Sequence, residues 1–553
     1  MENMIDTPSP AEEKSKRTAM ALIKRHDSKK SKRVNWDQNW QDITNFVMPD
    51  KNDVFEKFNR AKGDRKHHKL YEGSAIHFNE ILSNTLHSMM TNPSQIWFEL
   101  NAQNKKINEV PAVRKWLQEL AEKMTQILNG TNFQAQVHEV YLDLGSLGTG
   151  VLGIYEDDDN VMRFDSKPIY HFYIRENSKG IVDEISYIDE MTVENAFEKF
   201  GEESFGAEAE QLMKDPGKLT KIMNFILPRA VEDRLGFGSK SHPFASYHIY
   251  CDKPMVLQEK GYKEFPFVVP RWMKLSDEMY GRSPSMKALP DIKMLNAMMK
   301  TTIRGAQKIV DPILLVPDDG LLGRVNAIPG GQIPYRAGTD DRVSALQTGG
   351  DPGLGVEIIK DVRGRVKEHY FVDQFQLREG PQMTATEVNA RVEMQLRLLG
   401  PILGRLHFEF LKPMVSRMLN IMQRKNLLPE NPPPELTEND LDLEVFFTSQ
   451  IAKAQRAGEA NGLLEFLQSV QPIIDFDPEA ADVIDIDATI RKIAILKGVS
   501  EDIFRPLEDI EKLREARNVE KENAMKAQEE MQGAEVLNKA AGPVQDLGLI
   551  QGG

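Results

Sequence analysis

Four glycines close together, Gly145, Gly148, Gly150 and Gly153, raise the question of phosphate binding, because glycine lets backbone N–H groups approach an anion closely. A nucleotide-binding loop of the Walker type also needs a Gly-Lys-Ser/Thr sequence, and none follows here. The glycines therefore predict a tight turn or hairpin and not a phosphate site.

Other reactive residue types are scattered without a catalytic spacing. The histidines in the first part of the chain have neither the HExxH spacing of a zinc site nor the pattern of a Cys/His quartet. They are His67, His68, His77, His87 and His138, the last followed by Glu139. The acidic run Glu156–Asp159 could hold a hard cation, but such a run is more typical of a solvated turn. No GxSxG sequence occurs, and His248 is only a sequence neighbour of Cys251. We expect no catalytic site, metal or cofactor.

A row of basic residues on one predicted helix is the clearest candidate for contact with DNA. Lys300, Arg304 and Lys308 follow each other at i, i+4 and i+8, which places them on one helix face. Such a row can contact a phosphate backbone, and contacts of this kind would be brief and salt-dependent. A solvated outer face and an intersubunit salt bridge are the alternatives.

The helix that carries this row belongs to a rod–insert–rod pattern. Apolar residues keep helical period from Ile292 to Val310, with Pro290 and Asp291 suited to a helix start, and a second helix is predicted over 356–371. Residues 312–354 between them are rich in Pro and Gly and contain short apolar runs, which predicts a small β-rich insert. Twenty residues of helix make a rod roughly 30 Å long.

After the second rod the sequence predicts a polar loop and then a long helix. The loop spans 373–383 and contains Gln374, Gln376, Arg378 and Gln382. The helix runs from Ala385 to about Lys425, with a break or bend at Pro401 and Pro413, because proline removes a hydrogen-bond donor.

The remaining pattern predicts an α+β fold. Helices are predicted over 74–90 and 111–128, with a strand at 96–100, and short strands between about 145 and 267. A helical interlude is predicted at 192–228. From residue 448 onward the pattern is helical and acidic.

Length and composition exclude several classes of protein. A chain of 553 residues is too long for one core, so two to four units are expected. One cysteine cannot make an internal disulfide, which favours a reducing compartment. The N-terminus has no apolar segment of a signal peptide, and no run of about 18 apolar residues predicts a membrane span.

Charge is distributed unevenly along the chain. The net charge is −14, and residues 430–553 hold 26 acidic and 12 basic residues, which leaves 58 of each sign in residues 1–429. A conventional DNA-binding domain is therefore disfavoured, because tight binding draws on many Lys and Arg contacts. Residues 11–33 carry nine Lys and Arg, which predicts a solvated helix or arm, with contact to nucleic acid as the alternative.

Several motifs together resemble the portal (head-to-tail connector) proteins of short-tailed double-stranded DNA bacteriophages. The most specific is Thr384-Ala385-Thr386-Glu387 with Arg391 after it, which is similar to the family's motif at the start of its long helix. Supporting matches are Leu70–Gly73, Asn92–Phe98, Leu144–Gly153 and Ser449–Arg456. The resemblance covers about residues 35–460.

The resemblance implies a portal fold assembled as a ring, normally of twelve subunits, at one capsid vertex of the virion. DNA would be packaged and ejected through the ring, which is not an enzyme; assembly in the host cytoplasm is implied. Its partners would be the terminase large subunit, tail adaptor proteins, and the major capsid and scaffolding proteins.

The family's architecture can be carried over onto this chain in order. It implies a basic N-terminal arm (1–34), a wing (35–282), a first stem helix (283–310), a clip (311–355), a second stem helix (356–372), a tunnel loop (373–383), a long wing helix with a return strand (384–447), an acidic helical crown (448–530) and a disordered tail (531–553). The row Lys300, Arg304 and Lys308 on the first stem helix would then face the channel for DNA. The acidic crown would repel DNA and disfavour static binding, which would leave the tunnel loop as the narrowest contact.

Two other classes of function stay open on the sequence. One is another capsid part, such as a head-tail adaptor or an internal core protein, which a continuous axial channel would separate from a portal. The other is a nuclease or ATPase, which turnover by the purified protein would reveal.

Overall fold

A computed structural model describes residues 10–51, 54–55, 70–104, 106–234, 238–315, 344–346, 352–375, 399–437, 443–447, 450–476, 483–497, 503–505 and 507–541. The chain divides into two compact units, residues 1–451 and 452–553. The first unit mixes helices and antiparallel sheets, which confirms the α+β prediction at the level of class.

The first unit begins with helices. They are α1 (Pro10–Lys32), α2 (Val34–Phe46), α3 (Ser74–Met90), α4 (Pro111–Gly130) and α5 (Phe133–Ser146). The helices predicted over 74–90 and 111–128 are confirmed as α3 and α4. Their apolar stripes meet in one core that holds Leu82, Leu120 and Tyr141, and this core extends to the later helices of the same unit.

The described strands form four antiparallel sheets, one of which is the short pair between the two long helices given below. A two-stranded sheet pairs β1 (Phe98–Ala102) with β12 (Leu443–Phe447). A three-stranded sheet has the order β3-β2-β9, and a five-stranded sheet has the order β4-β5-β6-β7-β8. The bounds are β2 Leu152–Asp157, β3 Val161–Ser166, β4 Phe172–Glu176, β5 Val182–Thr192, β6 Leu219–Pro228, β7 Phe244–Tyr250, β8 Met255–Tyr262 and β9 Phe267–Val268.

The helical interlude predicted at 192–228 is wrong in its second half. Helices α6 (Val193–Phe200) and α7 (Ala209–Leu212) are followed by β6, the middle strand of the five-stranded sheet. Both faces of β6 are covered, because Ile222 packs in the cluster with α6 and α7 while Phe225 packs with residues of α1. A strand buried on both faces reads as a continuous apolar run, which periodicity cannot distinguish from a helix.

The prediction that residues 11–33 form a solvated helix or arm is confirmed in part, because the segment is helical and six of its nine basic residues are exposed, but the other side of the helix packs on a sheet. Helix α1 crosses one face of the five-stranded sheet, and its Ala19 and Leu22 are buried against Phe225. A basic side chain near the end of α1 contacts the sheet, because the ammonium of Lys29 lies 2.6 Å from the buried carboxylate of Glu184. Basic residues here neutralise a buried acid, a role that composition does not reveal.

Arg33, between α1 and α2, anchors this helix to the sheet. It is 1% exposed, and its guanidinium donates to the carbonyl oxygens of Tyr170 (2.8 Å) and Phe172. Its Nε lies 3.0 Å from Asp37, and the guanidinium lies 3.7 Å from the ring centroid of Tyr173.

Two long helices come next, α8 (Pro284–Val310) and α9 (Pro352–His369), with short strands β10 (Leu314–Leu315) and β11 (Ser344–Ala345) between them. A short helix α10 (Val372–Phe375) follows α9. Most of the predicted clip and of the tunnel loop lies outside the described residues.

Residues 399–424 are helical, as the predicted long helix requires, while residues 385–398 lie outside the described part of the chain. The helix continues through Pro401, and the irregularity lies at His407–Leu411, a π-helical segment that precedes α11 (Lys412–Arg424). Pro413 has no N–H to give the carbonyl of Glu409, and a wider turn there accommodates the missing bond. The described end of the unit is α12 (Pro434–Thr437) followed by β12.

The second unit is helical over most of its described residues. Its helices are α13 (Gln450–Phe476), α14 (Ile486–Lys497) and α15 (Leu507–Ala541). An ion pair joins Arg514 to Asp487 at 2.7 Å. The prediction of helices after residue 448 is confirmed there.

Candidate functional site: the long helical hairpin and its base

Helix α8 begins earlier than the sequence predicted. The side chain of Ser283 caps it by accepting the N–H of Met286 at 3.0 Å, and Pro284 occupies the first helical position. Pro290, read as part of the helix start, lies inside the helix. The Ser-Pro cap and the burial of Ala288 stabilise the extra turns that precede Pro290.

Helices α8 and α9 pack as an antiparallel hairpin. At its base Arg365 pairs with Asp291 at 3.2 Å, and further along a Cβ on Gly355 would lie 3.4 Å from the hydroxyl oxygen of Thr302. Leu295 and Val362, both 1% exposed, belong to the same core. The hairpin thus has a filled inner seam, and the rod–insert–rod order predicted from sequence is confirmed in its helices.

The segment before α3 is attached to the hairpin. The Tyr71 N–H donates to Asn296 at 2.7 Å, and Arg363 pairs with Glu72 at 2.8 Å. Burial raises the pKa of Glu72, but hydrogen bonds from Ser74 and Arg363 outweigh burial, so the pKa of Glu72 is lowered overall. The motif Leu70–Gly73 therefore stabilises the base of the rod.

The three predicted basic residues lie along one face of α8. Arg304 and Lys308 are exposed, and Lys300 is partly buried, with its ammonium 5.1 Å from the ring centroid of Tyr71. Helical period places this row opposite Leu295 and Thr302, the residues that face α9. That the row faces a channel stays a prediction.

Of the predicted loop residues, the structure describes only Gln374. It lies in α10, a single helical turn where the sequence predicted loop, and its N–H donates to the carbonyl of Phe371 at 3.0 Å. Lys367 pairs with Asp373 at 2.7 Å and ties this turn back to α9. Gln376, Arg378, Gln382 and the motif residues Thr384, Ala385, Thr386, Glu387 and Arg391 lie outside the described residues.

A buried charge network lies where the hairpin meets the sheets. Arg271, whose side chain is 3% exposed, donates through Nε and Nη2 to Glu409 at 2.9 and 2.8 Å. It also binds Glu176 and the carbonyl oxygen of Gly180, the latter at 3.1 Å. Lys274 reaches Glu176 at 2.8 Å. The network holds the π-helical segment against the β4–β5 turn, beside a largely apolar cavity of about 390 Å³.

Arg271 and a second buried arginine, Arg417, were not predicted as anchors, although both stand out in the sequence. Arg271 is a single charge inside the apolar run Phe267–Met273, and Arg417 is a single charge inside an apolar helix stripe. Arg417 is 5% exposed and donates to the carbonyl of Ile154 at 3.0 Å. Charged side chains are rarely buried unless they are paired, so an arginine that an apolar segment carries into the core needs a partner there.

The glycine cluster serves packing. Gly148, Gly150 and Gly153 have the spacing G-x-G-x-x-G, but they follow helix α5 and lead into strand β2, the reverse of the strand-to-helix order of a dinucleotide site. Gly148 has φ of +80°, and a Cβ there would lie 2.3 Å from the carbonyl oxygen of Gly281. The glycines let the backbone pass close to the start of α8.

The other candidates have structural partners. Within the described residues no group of three or more His, Cys, Asp and Glu side chains is arranged to hold a metal ion. His67 and His68 lie outside those residues. His87 contacts Gln134 and His138 contacts Asn84, each at 2.9 Å, and burial lowers the pKa of His87. His77 lies near Glu80, at 3.9 Å.

Neither the acidic turn nor the cysteine shows an activated group. Glu156 pairs with Arg424 at 2.6 Å, and Asp158 lies 3.8 Å from Lys425. Burial raises the pKa of the Cys251 thiol to about 11 and lowers the pKa of His248 to about 4. A thiol with so high a pKa is a poor nucleophile at neutral pH.

Comparison with known proteins identifies the class as a phage connector. The chain matches the family model described as bacteriophage head to tail connecting protein over residues 19–504, and it belongs to that family. It is 28% identical over 532 residues to the portal protein of Salmonella phage epsilon15, which covers 94% of this chain and 95% of the relative. It is also 28% identical over 531 residues to the probable portal protein of Bordetella phage BPP-1, covering 94% of each.

Membership confirms the resemblance that the motifs predicted. The function is that of a phage portal protein, a structural component of the virion at the junction of head and tail. None of the helices described is both long enough and apolar enough to span a lipid bilayer.

Proposed function

We propose that this chain is one subunit of a closed ring, normally of twelve copies, at one vertex of the capsid. DNA enters through the ring during packaging and leaves through it during ejection. The observation that carries the proposal is the family match over residues 19–504 together with the long hairpin of α8 and α9. In a ring with cyclic symmetry each subunit makes the same heterologous contact with the next, so no contact surface is left uncovered when the ring closes.

Within this ring, α8 and α9 are the two stem helices, residues 311–355 form the clip and residues 373–383 the tunnel loop. The wing comprises residues 35–282 with the long helix and return strand of 384–447, and the crown comprises the helices after residue 448. The terminase large subunit docks on the ring during packaging and tail adaptor proteins dock afterwards. Major capsid and scaffolding proteins surround it. The ring itself catalyses nothing.

The charges suit a conduit that DNA passes through. The acidic surplus of residues 430–553 repels a phosphate backbone, so static binding is disfavoured at the crown. The tunnel loop contains Gln374, Gln376, Gln382 and one fixed charge, Arg378. With so few charges the loop can contact DNA without binding it tightly. The row Lys300, Arg304 and Lys308 adds short, salt-dependent contacts where it faces the channel.

Native mass spectrometry and particle imaging of the purified full chain test the proposal. We expect a ring of a single copy number with a continuous axial channel wide enough for duplex DNA. A stable monomer, or an assembly without an axial channel, would overturn it and favour a head-tail adaptor or an internal core protein.

A further inference from the structure

Apolar side chains remain exposed along the hairpin even after its inner seam is filled. Six of them on α8 and α9 are at least 40% exposed: Met294 (40%), Ile303 (40%), Ile309 (53%), Val310 (86%), Val356 (50%) and Ile358 (45%). So many exposed apolar side chains on one rod indicate a surface that another molecule covers.

Contacts at the base of the hairpin define its two sides. On one side, here called the Asn296 side, the segment before α3 reaches both helices through Asn296 and Arg363. On the opposite side, here called the Asp291 side, Asp291 of α8 pairs with Arg365 of α9.

Helical period then assigns the six apolar residues to these sides. Seven residues make about two turns, so a side chain recurs on nearly the same side every seven positions. Ile303 and Val310 follow Asn296 at steps of seven, and Val356 precedes Arg363 by seven. These three lie on the Asn296 side.

The other three lie on the Asp291 side by the same rule. Ile309 follows Asp291 by eighteen residues, which is about five full turns, and Met294 follows it by three. Ile358 precedes Arg365 by seven. Each side of the hairpin therefore carries three of the six exposed apolar residues.

We propose that the Asn296 side of one copy packs against the Asp291 side of the next copy in the ring. The inference rests on the proposed ring and specifies its contact. Two different apolar surfaces on opposite sides of one rod make a heterologous pair, the kind of contact that cyclic symmetry repeats. A two-fold contact would instead use one surface twice and leave the other exposed.

Charge complementarity supports the second copy as the occupant. Lys360 and Asp361 are adjacent and exposed on α9. Lys360 follows Val356 by four residues and so leans toward the Asn296 side, whereas Asp361 pairs with Arg365 on the Asp291 side. Packing these sides together brings Lys360 of one copy toward the partner's Asp361. The row Lys300, Arg304 and Lys308 stays outside this contact, on the back of α8.

Cross-linking between two single-cysteine chains tests the contact. In a Cys251→Ser background, one chain carries Ile303→Cys with one affinity tag and the other carries Ile358→Cys with a different tag, and both are co-expressed. A bismaleimide of about 8 Å bridges side chains across two packed helices, whose axes lie about 8–10 Å apart. We expect a cross-linked dimer containing both tags in the mixture, at least about tenfold above either variant alone.

The control pairs Ile303→Cys with Val231→Cys, an exposed apolar position outside the hairpin, and should give no dimer above background. Equal dimer yield from Ile303→Cys alone would show that one side meets itself, which overturns the proposal. A ring by native mass without 303–358 cross-links overturns the contact and leaves the proposed function standing. Absence of any ring overturns the proposed function itself.

Discussion

Replacing Arg271 by leucine should destabilise the first unit more than any surface arginine can. The guanidinium is 3% exposed and pairs with Glu409 and Glu176, and it also donates to the carbonyl oxygens of Gly180 and Met279. Removing one partner of a buried ion pair costs about 3–5 kcal/mol, because the remaining charge stays buried without compensation.

The structure places the expected cost at the lower end of that range. Glu409 keeps Arg405 at 3.2 Å and Glu176 keeps Lys274 at 2.8 Å, so neither carboxylate loses every cation. We therefore expect the free energy of unfolding to fall by about 3 kcal/mol. With a slope of about 3 kcal/mol per molar urea, the unfolding midpoint should fall by about 1 M.

Urea unfolding followed by tryptophan fluorescence measures this change, because all five tryptophans, including the buried neighbour Trp272, lie in the first unit; Arg282→Leu is the matched control. Arg282 also pairs with a glutamate, Glu278 at 2.5 Å, but its side chain is 44% exposed, so its loss should cost under about 1 kcal/mol. An Arg271→Leu midpoint no lower than that of Arg282→Leu would refute the reasoning that the network is a buried anchor.

Three further predictions concern packing, pH and the loop. Gly148→Ala should lower the unfolding free energy by about 3 kcal/mol or more, since φ is +80° and a Cβ would lie 2.3 Å from the Gly281 oxygen. As the control, Gly404→Ala, in a helix outside the hairpin where a Cβ would meet nothing within 4 Å, should be neutral or stabilising by up to about 1 kcal/mol in the same urea assay. Burial, together with Lys199 and Lys260, lowers the pKa of His248 to about 4, so the neutral ring is favoured in the folded state. The contribution of the neutral His248 ring to the free energy of unfolding is present above pH 6.5. About 3 kcal/mol of it is lost as the pH falls from 6.5 to about 4. A His248→Gln chain that loses as much stability as the wild type over this pH range, in unfolding titrations, would contradict the prediction. Deleting residues 375–381 should leave ring assembly by native mass intact but impair packaging or retention of DNA, and normal DNA content in such virions would show that the loop only connects helices.

Much of the helical fold could be predicted because each helix has one buried stripe. Ser74–Met90 was predicted to its ends, since apolar residues at helical spacing stop at Asn92-Pro93. The hairpin order was also predictable, because the insert between its helices is rich in Pro and Gly. The sides of the hairpin that meet a neighbouring copy in the proposed ring were not predictable, since periodicity alone does not show what covers a helix face.

Strand β6, which was predicted as helix, is covered on both faces. It has α1 on one face and α6 and α7 on the other, so its apolar run carries no alternation. Helix α1 was predicted as solvated from the nine basic residues at 11–33; six of them are exposed, but Lys29 faces the buried Glu184. Charge counts miss such pairs, because a buried acid and its cations are distant in sequence.

The hairpin shows what an amphipathic stripe in the sequence of one helix can predict and what it cannot. Sequence periodicity predicted a single apolar stripe on α8. In the structure α9 packs against that stripe, with Leu295 and Val362 each 1% exposed. In the proposed ring a neighbouring copy covers other residues, Ile303 and Val310 on one side of the hairpin and Ile358 on the other. The seven-residue spacings from Asn296 and to Arg365 are present in the sequence. Only the contacts at the base of the hairpin show on which side of the hairpin each of these sets of residues lies.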